Sequence, residues 1–370
     1  MKHQLEKLQK LTENKNLDLI IIHAPDNIEY FTGIPSIGDI VALLIHSRMD
    51  NKTYLYVPVL EYHRYRVNLP DSVEVYAVSK TIKPEDIPIV ELDWKDIIAK
   101  HSENKDKIGA DVHHPGPLQL TIARALGERL LNVSEDIWNL RAIKEEHEIK
   151  AIEKAIEITQ RGIQAILAEL REGVTELELA GVFEYTARKH GAEKTAFDPI
   201  VAFKPNNAYP HTAPGARPLK KDDLVLVDVG VKYGGRCSDI TRMIIWGKIT
   251  NEEKQALEAL IEAVNSSIDY AKPGVTAQEV YNTAVAVLEK YGLKEKFIHG
   301  LGHGIGVAVH EPPFLRPLSG KTLEPGMVFT IEPGVYIPGS YGVRIEEDVL
   351  ITKTGAKVLS SKLSRVLETL

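Results

Sequence analysis

Gly173-Val174-Thr175-Glu176-Leu177-Glu178 has a counterpart in Gly274-Val275-Thr276-Ala277-Gln278-Glu279, 101 residues further along the chain. Each segment follows a helix-period apolar run. Each also offers a Thr-x-x-Glu capping box, in which a hydroxyl and a carboxylate satisfy backbone N–H groups at a helix start. The helices that follow stop at Gly191 and Gly292, which keep the same offset. A capping box alone is a common helix start, but the shared end point argues for duplication. Strand-like sequence follows both helix pairs, so the C-terminal region is expected to be two similar α+β halves facing one another.

Before the repeat, residues 141–170 read as one long helix, with Ile143, Ile149, Ile152, Ile156, Ile163, Ile166 and Leu170 at helical spacing. Further upstream, apolar runs at 17–24, 39–46, 54–60, 73–78 and 107–112 alternate with helical stretches such as 117–131, the pattern of an α/β domain. The expected organisation is an N-terminal α/β domain, 1–133, and a C-terminal α+β domain, 134–370. A chain of 370 residues supports two domains.

The net charge of −7 argues against a nucleic-acid surface. No apolar run reaches membrane-spanning length. The single cysteine, Cys237, excludes an intrachain disulfide framework and a cysteine-rich zinc site, and suits a reducing compartment. Residues 1–15 are polar and amphipathic, without the apolar core of an export signal, so a cytoplasmic location is expected.

Within the C-terminal region, residues 224–231 and 236–246 alternate as strands around Lys232-Tyr233-Gly234-Gly235. Centring the hairpin on Tyr233-Gly234 sets Asp228 opposite Asp239, although Tyr233 tolerates positive φ poorly and a bulge would shift the register. Two facing carboxylates among Leu226, Val227, Val229, Ile240, Met243 and Ile244 need a positive partner. Arg236 or Arg242 would make this a buried ion-pair site; a divalent metal is the alternative.

His299, His303 and His310 then fall within twelve residues, among the glycines of His299-Gly300-Leu301-Gly302-His303-Gly304-Ile305-Gly306. That glycine density argues against a helix and lets backbone approach a ligand closely. The imidazoles are candidate ligands, proton donors or oxyanion stabilisers. The glycines do not make a dinucleotide loop, since no strand is predicted before them and no helix after. His147-Glu148 is not a zinc-protease motif, because Ala151 stands where the second histidine is needed. Residues 328–331 form an apolar strand ending in Glu332-Pro333-Gly334. Residues 341–351 form another, with Arg344 and Glu346 on one face. Taken alone, Glu346-Glu347-Asp348 reads equally well as a solvated acidic edge.

Together, Val227-Asp228-Val229-Gly230, Cys237-Ser238-Asp239-Ile240-Thr241-Arg242, the histidine run, Phe329-Thr330-Ile331-Glu332-Pro333-Gly334 and Gly342-Val343-Arg344-Ile345-Glu346 form a pattern that resembles the pita-bread metallopeptidases. That group includes methionine aminopeptidase, aminopeptidase P, prolidase and the metal-free creatinase. The likeness runs from Arg141 to the C-terminus. Asn27-Ile28-Glu29-Tyr30-Phe31-Thr32-Gly33 is similar to a segment of the prolidase and aminopeptidase P branch, which carries an N-terminal domain.

The resemblance implies two divalent metal ions: Asp228 on one, Asp239 and Glu346 bridging both, His303 on one, and Glu332 completing the second. Four carboxylates carry about −4 and two such ions about +4, so the set becomes neutral. Oxygen donors with one imidazole favour manganese or cobalt, with zinc or iron open. The ions are expected to activate water for attack on the bond before proline, with Glu332 carrying a proton to the leaving nitrogen. His211 and His310 are expected at the substrate carbonyl, His299 as a proton relay, and Arg344 orienting Glu346 or binding a substrate carboxylate. Implied substrates are Xaa-Pro dipeptides or short proline-containing peptides, acted on by a homodimer. One departure bears on this choice. Microbial prolidases place an arginine in His-Glu-x-Pro-Arg, whereas this chain has His310-Glu311-Pro312-Pro313-Phe314, with Arg316 two residues late. If that arginine binds the free carboxylate of a dipeptide, its absence leaves longer Xaa-Pro peptides open, so Xaa-Pro dipeptidase ranks only slightly above Xaa-Pro aminopeptidase. A catalytically silent binding protein of the same fold ranks lower, since such proteins lose ligands.

Overall fold

The computed structural model describes residues 2–36 and 40–368, and the chain divides into two units, Met1–Arg141 and Ala142–Leu370. In the first, the apolar runs become a seven-stranded sheet. Its order is Ile89–Val90, Val73–Val78, Lys52–Pro58, Leu43–Ser47, Leu19–Ile22, Ile108–Ala110, Leu130–Asn132. Leu43–Ser47 is antiparallel to both neighbours, and the other pairs are parallel. It accounts for the 39–46 run, whose first residue lies outside the described residues. Leu19–Ile22 and Leu43–Ser47 are buried along their whole length, which is why they read as unbroken apolar stretches. The Asn27–Gly33 segment is the helix Pro25–Thr32. Its start is held by Asp111, which accepts from the backbone N–H groups of His23 and Ala24 and from Asn27 Nδ2, and Gly33 ends it at φ 67°.

The duplication is visible in the second unit. Helices Glu146–Glu169 and Glu176–Lys189 pack as one pair, and Asn251–Tyr270 and Ala277–Lys290 as another. Thr175 with Glu178 and Thr276 with Glu279 both form complete capping boxes. Gly173 N–H donates to the Leu219 carbonyl at 2.9 Å, and Gly274 N–H to the Leu323 carbonyl at 3.0 Å. The helical run at 141–170 is broken, however. Ser134–Ala142 ends before Ile143, which bridges to Met327, and Lys144 N–H donates to the Gly326 carbonyl. A new helix then starts, capped by Glu145 and Glu148, so local capping overrides an uninterrupted apolar period.

Between the helix pairs lie two main sheets. One runs Val366–Glu368, Ile240–Trp246, Asp223–Val229, Ile200–Phe203; the other runs Glu311–Leu315, Gly302–Gly304, Val328–Ile331, Glu347–Ile351, Ala356–Val358. Asp223–Val229 is buried on both faces. Leu224 and Leu226 join Leu260, Val264 and Leu288 in one core, while Val225, Val227 and Val229 join Ile156, Ile163 and Phe183 in another. Each such side chain contributes roughly 1.5–3 kcal/mol on burial. Alternation places Asp228 on the Leu224–Leu226 face.

The hairpin closes on Gly234-Gly235, at φ 57° and 68°, because a two-residue type I′ turn needs positive φ at both central residues. Asp228 therefore pairs with Thr241, not Asp239. The expected register is off by two, and an even slip keeps every side chain on its face.

Residues 341–351 also form two strands, not one. Tyr341–Arg344 pairs with Gly334–Ile337, and Glu347–Ile351 pairs with Val328–Ile331. Both ladders keep the same register, with Ile331 opposite Glu347 and Gly334 opposite Arg344. Glu332 and Glu346 thus face each other where both chains cross from one sheet to the next. Their N–H groups leave the ladder: Glu332 N–H donates to the Leu301 carbonyl and Glu346 N–H to that of Thr241.

Candidate metal centre

Asp228, Asp239, His303, Glu332 and Glu346 converge on one cavity of about 970 Å³, which His211, His299, His310 and Arg344 also line. Three sets of potential ligand atoms lie within 4.8 Å of one another: Asp228, Asp239 and Glu346; His303, Glu332 and Glu346; and Asp239, His303 and His310. The first two share Glu346, the arrangement a pair of adjacent ions needs. His303 Nε2 lies 3.3 Å from Glu332 Oε1 and 3.6 Å from Asp239 Oδ2.

The glycines beside His303 serve packing. A Cβ on Gly302 would sit 1.9 Å from the Thr330 carbonyl oxygen, and one on Gly304 2.3 Å from that of Pro312. The close approach expected for a ligand is an approach to the neighbouring strands, which holds His303 in the middle of a three-strand ladder.

Neither Arg236 nor Arg242 stands between the aspartates. Arg236 donates to Glu148, and Arg242 reaches Glu347 and the Glu346 carbonyl. Glu347 also takes Arg365 at 2.8 Å, so Glu346-Glu347-Asp348 is fully buried and not a solvated edge. The one cation at the cluster among the described residues is Arg344. It donates to Asp228 Oδ2 and Tyr336 Oη, and through Nε to Thr241 Oγ1 at 3.2 Å.

Asp228 Oδ1, Glu346 Oε1 and Asp348 Oδ1 are buried without a hydrogen-bond partner among the described residues. Burial, and then the negative charges of Glu346, Asp228, Glu332 and Asp348, push the Asp239 carboxyl well above its ordinary range. Burial with the charges of Glu332, Asp228 and Asp348 does the same to Glu346. For Glu332 burial acts upward but loses to the hydrogen bond and charge of His303, which hold it down to about 2. Orphaned, mutually repelling carboxylate oxygens beside an imidazole are what a site for divalent cations requires. The residues fit such ions.

Around this cluster, His299 Nε2 meets Tyr336 Oη at 3.1 Å, and Arg344 Nη1 meets the same oxygen at 2.7 Å. Burial pushes the Tyr336 phenol up to about 12. Desolvation, then the charges of His303 and His211, bring His310 down to about 4, so its ring is neutral near pH 7. His211 is exposed on the cavity wall. Sequence reasoning missed Tyr336, Thr241, Thr330 and Asp348. For Tyr336 a signal exists in Gly334 and Gly342, whose missing side chains leave room for its ring.

Residues 150–353 match the metallopeptidase family M24, and residues 4–143 match the creatinase/prolidase N-terminal domain. The Xaa-Pro dipeptidase of Pyrococcus furiosus is 35% identical over 97% of this chain and 98% of its own length. Among solved structures, the prolidase of Pyrococcus horikoshii OT3 superposes with a TM-score of 0.85 at 33% identity, covering 98% of this chain and 99% of that one. The X-Pro aminopeptidase of Thermotoga maritima MSB8 also gives 0.85, at 30% identity and the same coverage. The chain belongs to metallopeptidase family M24.

Proposed function

We propose that this metallopeptidase hydrolyses the bond before proline, as an Xaa-Pro dipeptidase, with Asp228, Asp239, His303, Glu332 and Glu346 holding two divalent ions, manganese or cobalt. The observation that carries the reading is the convergence of these five side chains with buried carboxylate oxygens left unpartnered. When bound, such ions polarise a carbonyl and acidify water. Retention of the whole ligand set argues against a silent binding protein.

The remaining residues orient and neutralise. His310 and His211 line the cavity as hydrogen-bond donors for the oxygen of the scissile carbonyl as charge develops on it. Arg344 is only 4% exposed and donates to Asp228, Tyr336 and Thr241, which favours its role in orienting Asp228 and, through Thr241, Glu346 over binding a substrate carboxylate. His299 connects to it through Tyr336. Glu332 offers a ligand oxygen beside His303 and Glu346. Its expected role in carrying a proton to the leaving nitrogen is part of this reading. Proline after the cut suits a site that need not satisfy a peptide N–H.

Arg316 supports a dipeptide substrate. Its guanidinium lies 5.1 Å over the Phe314 ring on the wall of the same cavity, a cation placed to meet a free carboxylate. Phe314 in the arginine's usual place favours the second reading, Xaa-Pro aminopeptidase. The buried Cys237 suits a cytoplasmic setting, no described helix is long and apolar enough to cross a membrane, and the homodimer remains what the family resemblance implies. Rates on Ala-Pro and Met-Pro against Ala-Pro-Ala-Ala, with manganese added, test the choice. Faster dipeptide cleavage is expected. A strong tetrapeptide preference would reverse the ranking, and no cleavage of either would reject the function.

A further inference from the structure

Two hydroxyls in the cluster share one hydrogen-bond pattern. Thr241 Oγ1 accepts from Arg344 Nε at 3.2 Å and donates to Glu346 Oε2 at 2.8 Å. Thr330 Oγ1 accepts from the backbone N–H of His303 at 3.2 Å and donates to Glu332 Oε1 at 3.1 Å. Both threonines are fully buried, and each is the cross-strand partner of an aspartate, Thr241 of Asp228 and Thr330 of Asp348.

An arginine Nε–H and a backbone N–H are donors only, whereas a hydroxyl has one proton and two lone pairs. Each fixed donor occupies a lone pair and forces the hydroxyl proton the other way. That proton can meet only an acceptor, here one chosen oxygen of the glutamate, with the Asp228 carboxylate also within reach of Thr241. The other oxygen of Glu346, Oε1, is left without a partner among the described residues.

We propose that Thr241 and Thr330 are positioning residues that preset the rotation of the Glu346 and Glu332 carboxylates before any metal arrives. They lower the cost of ordering those ligands, and neither touches substrate. Thr241 also couples the two sheets: Arg344 ties it to Asp228, so one hydroxyl aligns ligands from both halves of the repeat. The inference rests on the reading of these glutamates as metal ligands. Groups that orient metal ligands typically contribute 10–100-fold in metal affinity.

The test is titration of metal-free protein with Mn(II) alone, followed by calorimetry, for the wild type, Thr241→Val, Thr241→Ser and Thr330→Val. Valine keeps the shape and removes the hydroxyl; serine keeps the hydroxyl. The expected result is a Mn(II) dissociation constant raised about 10–100-fold in both valine variants and within about threefold of wild type in Thr241→Ser. On Ala-Pro at saturating Mn(II), KM should stay within about twofold, because no substrate contact is lost. Valine variants that bind Mn(II) like the wild type, or a serine variant as weak as its valine counterpart, would overturn the proposal. If Thr241→Val does not fold, Thr330→Val and Thr241→Ser carry the same two outcomes. A wild type that binds no Mn(II) would instead reject the metal-ligand reading itself.

Discussion

Replacing Asp239 by Asn should make the metal-free protein more stable while abolishing its activity. Asp239 is 5% exposed, and its carboxylate lies among the charges of Glu346, Asp228, Glu332 and Asp348. Two like charges at about 4 Å repel by roughly 4 kcal/mol at an effective dielectric of about 20. The carboxyl relieves part of this by taking up a proton, so the gain from neutralising it falls to about 1–2 kcal/mol. An amide NH₂ at this position also removes one of the charges facing the Glu346 carboxylate beside it. For a unit of this size that corresponds to a rise in Tm of roughly 2–8 °C. Metal reverses the order. The wild type gains about 2.7 kcal/mol at a hundredfold excess over Kd, and a variant lacking one of the proposed ligands gains little. Differential scanning fluorimetry in EDTA and then in Mn(II) should show the two melting curves exchange places, with no turnover of Ala-Pro by the variant. A lower Tm for the variant in EDTA, or an equal response of both proteins to Mn(II), would refute the electrostatic argument.

Tyr336→Phe cuts the link between His299 and Arg344 and should lower kcat on Ala-Pro about tenfold with little change in KM; steady-state kinetics decide it. Gly302→Ala puts a methyl 1.9 Å from the Thr330 oxygen and should destabilise by about 3 kcal/mol or more, read as a lower denaturant midpoint. In the first unit, His23, His46 and His101 are all held below the ordinary histidine range by burial, His101 at about 4. The unfolded chain therefore binds their protons more tightly, so stability is full above about pH 6.5 and falls as pH drops toward 4. Partial exposure limits the His101 share to about 1–2 kcal/mol. Buried carboxyls such as Asp239 and Glu346, raised in the metal-free fold, act the other way, so the difference between proteins is the readout: in EDTA the urea midpoint of His101→Gln relative to wild type should rise between pH 7 and pH 5.

The parts of the structure legible in the sequence are those set by local rules. The two capping boxes involve side chains three residues apart, so the duplication could be read without a fold. The hairpin was legible in its faces though not in its register, because the turn belongs to Gly234-Gly235 while parity alone decides which face Asp228 and Asp239 share. What was not legible depends on distant partners. Glu347 is buried because Arg242, 105 residues away, reaches it, and no charge pattern along 346–348 reports that. Thr241 and Thr330 are ordinary strand residues until Arg344 and the His303 amide arrive beside them. The break at 143–145 was missed because Gly326 supplies the carbonyl that draws Lys144 out of the helix.

The division of the five side chains between the halves has a consequence for assembly. Asp228 and Asp239 lie before the Asn251–Tyr270 helix, and His303, Glu332 and Glu346 after it. A chain cut in the 247–250 connection would give two fragments, neither owning enough donors for a bridged pair of cations. Tight manganese capture would then report reunion of the pieces, making the ion a gauge of whether the duplicated halves have found each other.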